Sequence, residues 1–351
     1  MQAITYHGAR DMRLQDVPAP EVEAATDVVL RVTRSTICGS DLHLWHGAMP
    51  SPETGFTVGH ELVGVVEEVG SAVHTLATGD RVFVSAVLGC GSCPRCRRGL
   101  YSACAVTTAG GTRSNVLGFG SAYPGGQAER IRVPFADVNV FAIPDDVTDE
   151  QALFLTDILP TAYMAADFAR VEAGSHVVVF GCGPVGALAQ RCAQVRGAAR
   201  VIAIDPDEGR LALAGKRGCD VIHPEKENVL QRVLELTGGE GADSVIEAVG
   251  RAELVSQAAL LLRAGGVISV AGVIVANVDL PWALFLLKNL TLRGGLVNPQ
   301  QYAAQLLALI QGGRLDPSEL ITHRMPLAEG AAAYELFASH ADGVLKVVLE
   351  P

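Results

Sequence analysis

Hydrophobic and polar positions change their period near residue 150 of the chain. Before that point, short apolar runs such as Val28–Val32, Leu62–Val69 and Arg81–Val84 lie between Gly, Pro and Asp residues, which predicts a β-rich region. From His176 onward, β-branched runs alternate with segments of helical period, which predicts βαβ units and a parallel sheet. The predicted strands there are His176–Phe180, Val201–Ile204, Asp243–Glu247 and Val267–Val270, and the predicted helices include Val185–Val195, Glu208–Lys216 and Asn228–Leu236.

The C-terminal tail resembles the β-rich beginning of the chain. The pattern changes again near Thr291–Leu296, and the tail ends on a strand-like run, Val344–Leu349. A chain of 351 residues has the length of two domains. We therefore predict an α/β protein with an inserted order: residues 1–155 and 296–351 form one domain, and residues 156–295 form a doubly wound dinucleotide-binding domain between them.

A glycine-rich turn follows the predicted strand His176–Phe180 and opens a helix. Gly181, Gly183 and Gly186 allow a tight turn, close approach of a pyrophosphate and close helix packing. The N-terminus of the helix, where Pro184 and Val185 lie, offers amide donors and a favourable dipole to phosphates. The glycine pattern alone also fits an ordinary turn. The residues that follow it are needed to distinguish a dinucleotide-binding turn from an ordinary one.

Asp205 ends the next predicted strand, where an acidic residue accepts hydrogen bonds from the adenosine ribose hydroxyls. The same carboxylate repels a 2′-phosphate, and neither Pro206 nor Asp207 offers a cation to hold one. We therefore expect a dinucleotide site that prefers NAD. Arg210 lies within reach of the same ribose and leaves the use of NADP open.

Four cysteines, Cys90, Cys93, Cys96 and Cys104, are spaced C-x2-C-x2-C-x7-C in a loop rich in Gly and Arg. Four thiolates satisfy tetrahedral zinc and leave no open position, which is typical of a structural site. An iron–sulfur cluster and two disulfides are the alternatives. Clustered cysteines in a reducing cytoplasm favour the metal.

A second group of metal-type side chains comes from two separate segments, Cys38–His43 and Gly59-His60-Glu61. A thiolate from Cys38 and an imidazole from His60 suit zinc, although a lone Cys and a lone His are equally well explained as core residues. A catalytic zinc needs three protein ligands and an open position, so these two do not complete a site.

Together these pieces resemble the medium-chain, zinc-containing alcohol dehydrogenase family over essentially the whole chain. The resemblance implies a GroES-like catalytic domain, a Rossmann domain, and a catalytic zinc bound by Cys38 and His60. It implies that the third ligand comes from the segment Leu155–Thr161, where Asp157 matches, as in bacterial branches of the family. The expected cofactors are NAD and two zinc ions per chain.

The resemblance also implies roles around the catalytic zinc. Ser40 accepts the alcohol proton, which passes through the nicotinamide ribose to His43, although a turn cap and a surface histidine are the plain alternatives. Glu61 either exchanges with water on the zinc or supports the ligands from behind. Trp45, Phe119 and Leu296 match pocket positions, and family members are dimers or tetramers.

The net charge of the chain disfavours some classes of binding partner. A net charge of -11 disfavours nonspecific binding to nucleic acid or to anionic membranes. We expect no signal peptide, because Met1–Tyr6 is strand-like, and no membrane span, so the expected location is the cytoplasm. The favoured function is interconversion of a small primary or secondary alcohol and its carbonyl compound; polyol or formaldehyde oxidation, a zinc-free quinone reductase and a non-catalytic NAD sensor are the alternatives.

Overall fold

The computed structural model describes residues 1–49, 51, 53–339 and 343–351, and the chain divides into two compact units. The first, here called the split unit, consists of Met1–Pro160 and Val297–Pro351. The second, the inserted unit, is Thr161–Leu296. The predicted domain limits at 155/156 and 295/296 lie a few residues from these divisions and stay a prediction.

The regular elements of the described residues are as follows. The strands are β1 Gln2–Gly8, β2 Asp11–Asp16, β3 Val28–Thr36, β4 Glu61–Val69, β5 Arg81–Val84, β6 Arg130–Val133, β7 Val140–Ala142, β8 His176–Phe180, β9 Arg200–Ile204, β10 Asp220–Ile222, β11 Ala242–Glu247, β12 Leu262–Val270, β13 Thr291–Gly294, β14 Ile321–Pro326 and β15 Lys346–Glu350. The α-helices are α1 Asp41–Trp45, α2 Ala136–Asn139, α3 Asp149–Leu153, α4 Ile158–Phe168, α5 Pro184–Val195, α6 Glu208–Lys216, α7 Val229–Leu236, α8 Ala252–Leu261, α9 Trp282–Lys288, α10 Pro299–Gln311 and α11 Gly330–Ser339. None of these helices, within the part of the chain that the structure describes, is long and apolar enough to cross a membrane.

The split unit is built on a seven-stranded sheet. Its path is β14-β15-β3-β4-β5-β7, and β6 pairs with β3 beside that path. All neighbours are antiparallel except β14 and β15. Pairing of β15 with β3 joins the C-terminal tail to the N-terminal part, as an inserted order requires. Thr36 of β3 is opposite Glu61 of β4, and this register brings the segments that end these strands together.

The inserted unit contains a six-stranded parallel sheet in the order β10-β9-β8-β11-β12-β13. Strand β8, His176–Phe180, is almost wholly buried, as expected for a parallel strand covered by helices on both faces. The chain runs from β8 outward to β10 and then returns to β11 beside β8. The carboxyl ends of β8 and β11 therefore form the topological switch point, where doubly wound sheets bind ligands.

The predicted α/β class is confirmed, and most predicted elements match within one or two residues. Strands β5 and β8 and helix α6 have the predicted limits. Strand β12 begins at Leu262, earlier than the predicted Val267. The sequence pattern missed this part of the strand because glycines such as Gly265 and Gly266 are poor strand formers. Asn228 lies just outside α7 and caps it by accepting a hydrogen bond from the amide of Gln231.

Asn139 ties the cysteine-rich loop to the sheet of the split unit. Its buried side chain donates to the carbonyls of Gly89 and Pro134, both at 3.0 Å, and accepts from the amide of Gly89 at 2.9 Å. The side-chain amide of Gln300 donates to the same oxygen at 3.0 Å. One side chain thus satisfies both backbone groups of the residue that leads into Cys90.

Replacing Asn139 by Ala should lower the free energy of unfolding by about 2–4 kcal/mol, because buried groups left without partners cost about 1–3 kcal/mol each. Urea unfolding of metal-replete protein measures the change. Gln311→Ala is the matched control, since this exposed side chain also bonds a neighbour but should change stability by less than about 0.5 kcal/mol. Equal unfolding midpoints for the two variants would contradict the assigned role.

Candidate functional site

Cys38, His60 and Asp157 come together in the split unit. One Asp157 Oδ2 lies 3.7 Å from Cys38 Sγ and 3.3 Å from His60 Nε2, and the three ligand atoms lie within 4.8 Å of one another. Ligands at zinc bond lengths of 2.0–2.3 Å in a tetrahedron are about 3.3–3.8 Å apart. The donor set and its spacing therefore fit zinc, with a fourth position left for another ligand. Asp157 itself follows a short 3-10 turn, Phe154–Thr156, at the beginning of α4.

Asp41, which the sequence analysis did not single out, holds two of these residues in place. Its buried carboxylate accepts the backbone amide of Cys38 at 2.9 Å through Oδ2, and Oδ1 faces His60 Nδ1 at 3.1 Å. The two atoms do not form a hydrogen bond in this geometry, but the negative charge of the carboxylate favours a proton on Nδ1 and so leaves Nε2 for a metal. The sequence held one signal for this role: Asp41 lies only three residues after the candidate ligand Cys38.

Burial and neighbouring charges act in opposite directions on these groups. Burial lowers the pKa of His60, but Asp41, Cys38 and Asp157 outweigh it and raise that pKa well above its usual range. Burial and the nearby Glu61 raise the pKa of the Cys38 thiol. Without a cation the group therefore favours protons on both side chains, and a metal ion competes with those protons.

Ser40 lies beside this cluster, and His43 belongs to α1, the helix that follows Ser40. Ser40 Oγ is 3.2 Å from His60 Nε2, and its side chain makes no cap bond to α1, which it precedes. His43 is half-buried on the same helix. Burial, and next the nearby His46, lower the pKa of His43, so that its imidazole is neutral at neutral pH and can accept a proton.

Glu61 forms a buried ion pair with Lys346, which the sequence analysis also missed. The Lys346 ammonium contacts Glu61 Oε2, both side chains are fully buried, and Glu61 Oε1 has no hydrogen-bond partner among the described residues. Burial raises the pKa of Glu61, and the Lys346 ammonium offsets part of that rise. The signal was a lysine inside the apolar run Val344–Leu349, since a buried cation requires an anionic partner.

The four cysteines of the loop form a second cluster. Cys90 and Cys96 Sγ atoms are 4.0 Å apart, Cys93 and Cys104 Sγ atoms are 3.9 Å apart, and all four lie within 4.8 Å of one another. A tetrahedron of thiolates around zinc has edges of about 3.8 Å, whereas a disulfide needs about 2.05 Å. The four thiols are free, and backbone amides such as those of Cys93 and Thr107 donate to their sulfurs. The cluster fits a closed structural zinc site.

The glycine turn of the inserted unit links β8 to α5. Gly181 has a φ of +94° and Gly186 packs against it, since a Cβ on Gly186 would lie 2.0 Å from the Gly181 carbonyl oxygen. Gly183 is the N-cap residue of α5, and Pro184 and Val185 form its first turn. The turn thus presents the N-terminus of a twelve-residue helix at the switch point, an arrangement suited to phosphate.

Asp205 lies directly beside this turn. Its carboxylate accepts the amide of Cys182 at 2.7 Å through Oδ2 and the amide of Asp207 at 2.8 Å through Oδ1. Each oxygen has a second lone pair, so acceptor capacity for a ribose remains. The Arg210 guanidinium also lies near the turn, with Nη1 3.8 Å from the position that a Cβ of Gly183 would take.

The three predicted pocket residues have different environments. Phe119 lies against His60, with ring centroids 5.5 Å apart. Trp45 is buried in the core of the split unit and stacks on Tyr334. Leu296, at the end of the inserted unit, is about half exposed. Phe119 thus contacts a residue of the metal-type cluster, and the three pocket roles stay predictions.

Known protein families match both the N-terminal part and the central part of the chain. A model described as alcohol dehydrogenase GroES-like domain matches residues 24–145, and one described as zinc-binding dehydrogenase matches residues 184–312. A zinc-type alcohol dehydrogenase-like protein of Bacillus subtilis is 36% identical and covers 100% of both chains. An L-threonine 3-dehydrogenase of Rhizobium rhizogenes is 33% identical over 96% of this chain and 94% of that protein.

Solved structures resemble the whole chain. Alcohol dehydrogenase TADH from Thermus sp. ATN1 has a TM-score of 0.94 and 40% identity, covering 100% of this chain and 99% of that one. A Sinorhizobium meliloti 1021 protein bound to NADP has a TM-score of 0.87 and 29% identity, covering 100% and 99%. A short chain alcohol dehydrogenase of Escherichia coli CFT073 complexed with NADH has a TM-score of 0.89 and 25% identity, covering 100% and 99%.

These likenesses cover the full length of the chain, and they agree with the two units described above. The resemblance drawn from the sequence motifs is confirmed. The chain belongs to the zinc-containing alcohol dehydrogenase family and is a zinc-dependent oxidoreductase of that family.

Proposed function

We propose that this enzyme uses NAD and two zinc ions to interconvert a small primary or secondary alcohol and its aldehyde or ketone. The observation that carries the proposal is the cluster of Cys38, His60 and Asp157, whose ligand atoms have zinc spacing. An intact set of three ligands argues against a zinc-free reductase and against a non-catalytic sensor.

The proposed roles divide the two metal-type clusters. Cys38, His60 and Asp157 hold the catalytic zinc, while Cys90, Cys93, Cys96 and Cys104 hold a structural one. The catalytic ion, when bound, acidifies the hydroxyl of an alcohol or polarises a carbonyl. Asp41 orients the His60 ring, and Lys346 neutralises the charge of Glu61, so that this buried pair adds no net charge beside the ligands.

The proposed proton route starts at Ser40 and ends at His43. Ser40 Oγ is 3.2 Å from His60 Nε2, so it lies next to the place where the alcohol hydroxyl would bind. The lowered pKa of His43 keeps its imidazole free to accept a proton at neutral pH. Half-burial leaves part of that ring in water, so it can pass the proton on.

Preference for NAD over NADP is proposed from Asp205. Its carboxylate faces the glycine turn and keeps lone pairs for ribose hydroxyls. A 2′-phosphate would meet the same negative charge at short range. The NADP bound to the Sinorhizobium meliloti protein, together with Arg210 beside the turn, makes a direct comparison of the two nucleotides necessary.

The substrate class is proposed from the surroundings of His60. The apolar ring of Phe119 packs against it, which favours a small apolar substituent on the alcohol. The likeness to an L-threonine 3-dehydrogenase makes hydroxyl compounds with polar substituents, including polyols, the second candidate.

We also propose a cytoplasmic homo-oligomer, a dimer or tetramer as in its family; the eight free cysteines suit a reducing compartment.

The proposal is tested by absorbance at 340 nm with NAD or NADP and a panel of primary and secondary alcohols, polyols, amino alcohols and formaldehyde. Reduction of NAD with a short primary or secondary alcohol is the expected result. Highest activity with threonine or a polyol would replace the substrate class while keeping the enzyme class. No activity with any member of the panel, in protein with full zinc content, would contradict the proposal.

Metal content gives a second test. Wild-type protein should contain two zinc ions per chain, and Asp157→Ala should keep one and lose turnover, because the catalytic site loses a charged ligand. Cys93→Ser should also lose one ion but should lower thermal stability, since a structural site contributes folding free energy. Elemental analysis and thermal melting measure both effects.

Cys192→Ser is the matched control for the cysteine change, because this thiol is buried in the inserted unit and belongs to neither cluster. It should keep both ions and full turnover. Asp157→Cys should retain zinc and part of the activity, since site charge is kept while ligand softness changes. Full turnover of Asp157→Ala with two zinc ions still bound would reject Asp157 as a ligand.

Cofactor preference gives a third test. Wild-type kcat/KM should favour NAD over NADP by at least about 100-fold, because charge-assisted hydrogen bonds contribute about 1.5–3 kcal/mol and repulsion adds to them. Asp205→Ser should lose NAD activity, and adding Pro206→Arg should raise NADP activity. Asp220→Ser, in the neighbouring strand β10, should leave the ratio unchanged. Equal use of both nucleotides by the wild type would contradict this role for Asp205.

A further inference from the structure

Glu247 is a buried carboxylate at the topological switch point, and the proposed chemistry leaves it without a task. It is the last residue of β11, the strand that lies beside β8 at the point where the sheet order reverses. Its side chain is wholly buried. A glutamate in such a place must be held by donors, because an isolated buried carboxylate is costly.

The donors are three consecutive backbone amides. Glu247 Oε1 accepts from Val249 at 2.9 Å, from Gly250 at 2.8 Å and, more weakly, from Arg251 at 3.4 Å. These amides belong to the loop that follows β11. Because one oxygen accepts all three amides, the loop folds back over the end of the strand that precedes it.

The backbone carbonyl of Glu247 fixes a second loop. It accepts the amides of Ala271 at 2.8 Å and Gly272 at 3.1 Å, which follow strand β12. The two loops touch closely, since a Cβ on Gly272 would lie 2.2 Å from the Gly250 nitrogen and 2.6 Å from Glu247 Oε2. Glu247 therefore joins the loops after two neighbouring strands at the carboxyl edge of the sheet.

The loop after β11 borders the glycine turn directly. The Ala248 amide donates to the Phe180 carbonyl at 3.0 Å, and a Cβ on Gly181 would lie 2.9 Å from Val249 Cγ2. Val249 is about half exposed, as a residue lining an open crevice would be. Asp205 holds the other flank of the same turn through Cys182.

We propose that Glu247 is a positioning residue of the dinucleotide site, where it fixes the loop Ala248–Arg251 as the wall of the crevice beside the glycine turn. This inference rests on the proposed use of the switch point for the dinucleotide. A wall that is ordered before binding does not have to be ordered by the nucleotide, so affinity is higher. Glu247 itself is not a member of either metal-type cluster.

The pKa of Glu247 depends on burial and on the same backbone amides. Burial raises the pKa of Glu247, and the backbone donors of Val249, Gly250 and Arg251 counteract part of that rise. The second oxygen, Oε2, has no partner among the described residues. The three amides of the loop therefore stabilise the charged form of this buried side chain.

The test compares Glu247→Gln and Glu247→Ala in the zinc-loaded enzyme. NADH affinity is measured by nucleotide fluorescence, with NADPH measured separately, below the melting temperature of every variant. Glu247→Gln keeps one acceptor and should raise the Kd about threefold, whereas Glu247→Ala frees the loop and should raise it about tenfold. The KM for the nucleotide should rise in parallel, while kcat at saturating nucleotide stays within about twofold of wild type.

Asp243→Ala is the matched control. Asp243 lies on the same strand near its amino end and also accepts a backbone amide, that of His176, at 2.7 Å. The loss of this bond and of the bond from Arg263 should lower the melting temperature. The Kd for NADH should stay within about twofold, because ligands bind at the opposite edge of the sheet.

The outcomes separate a positioning role from a merely structural one. An unchanged Kd in both Glu247 variants, or an equal rise in Asp243→Ala, overturns the inference. If Glu247→Ala does not fold, Glu247→Gln decides alone, and an affinity equal to wild type rejects the proposal. Wild-type enzyme that binds neither NADH nor NADPH refutes the proposed function instead.

Discussion

The Asp41 carboxylate touches both the backbone amide of Cys38 and the imidazole of His60, and it is completely buried. It therefore holds one proposed ligand through the main chain, and its charge favours a proton on Nδ1 of the other. The register of β3 and β4 brings Cys38 and His60 near each other, and this carboxylate adds a contact to each of them. Ser40 lies next to the same imidazole, with its Oγ 3.2 Å from His60 Nε2.

In the inserted unit, two carboxylates hold loops through backbone amides. Asp205 directly follows β9 and Glu247 ends β11, the strands on the two sides of β8, and each carboxylate accepts backbone amides from the loops at that edge. A buried carboxylate is stabilised by such charge-assisted bonds, and the loop loses its freedom in exchange. Loops would otherwise be the most mobile parts of the molecule, yet here they have to present a fixed surface to a ligand.

Buried charge next to the cluster of Cys38, His60 and Asp157 is matched by charge of the opposite sign. Lys346 begins the last strand and Glu61 begins the strand that follows His60, and the two meet inside the sheet of the split unit. Removing one partner of such a pair would leave an uncompensated buried charge, which is strongly destabilising. The return of the C-terminal tail to this sheet therefore has an electrostatic consequence for the site as well as completing the fold.

The sequence by itself determined the elements and sites that are local: the alternation of strands and helices, the glycine turn, and four cysteines close enough along the chain to surround one ion. Only the tertiary structure decided which distant side chains meet. Asp157 is 119 residues from Cys38, and Lys346 is 285 residues from Glu61, so no local periodicity relates them. The Asp157 match came from family resemblance alone, and Asp41, Lys346 and Glu247 were missed. Their roles arise from strand register and from the burial of polar groups, which depend on how the whole chain packs.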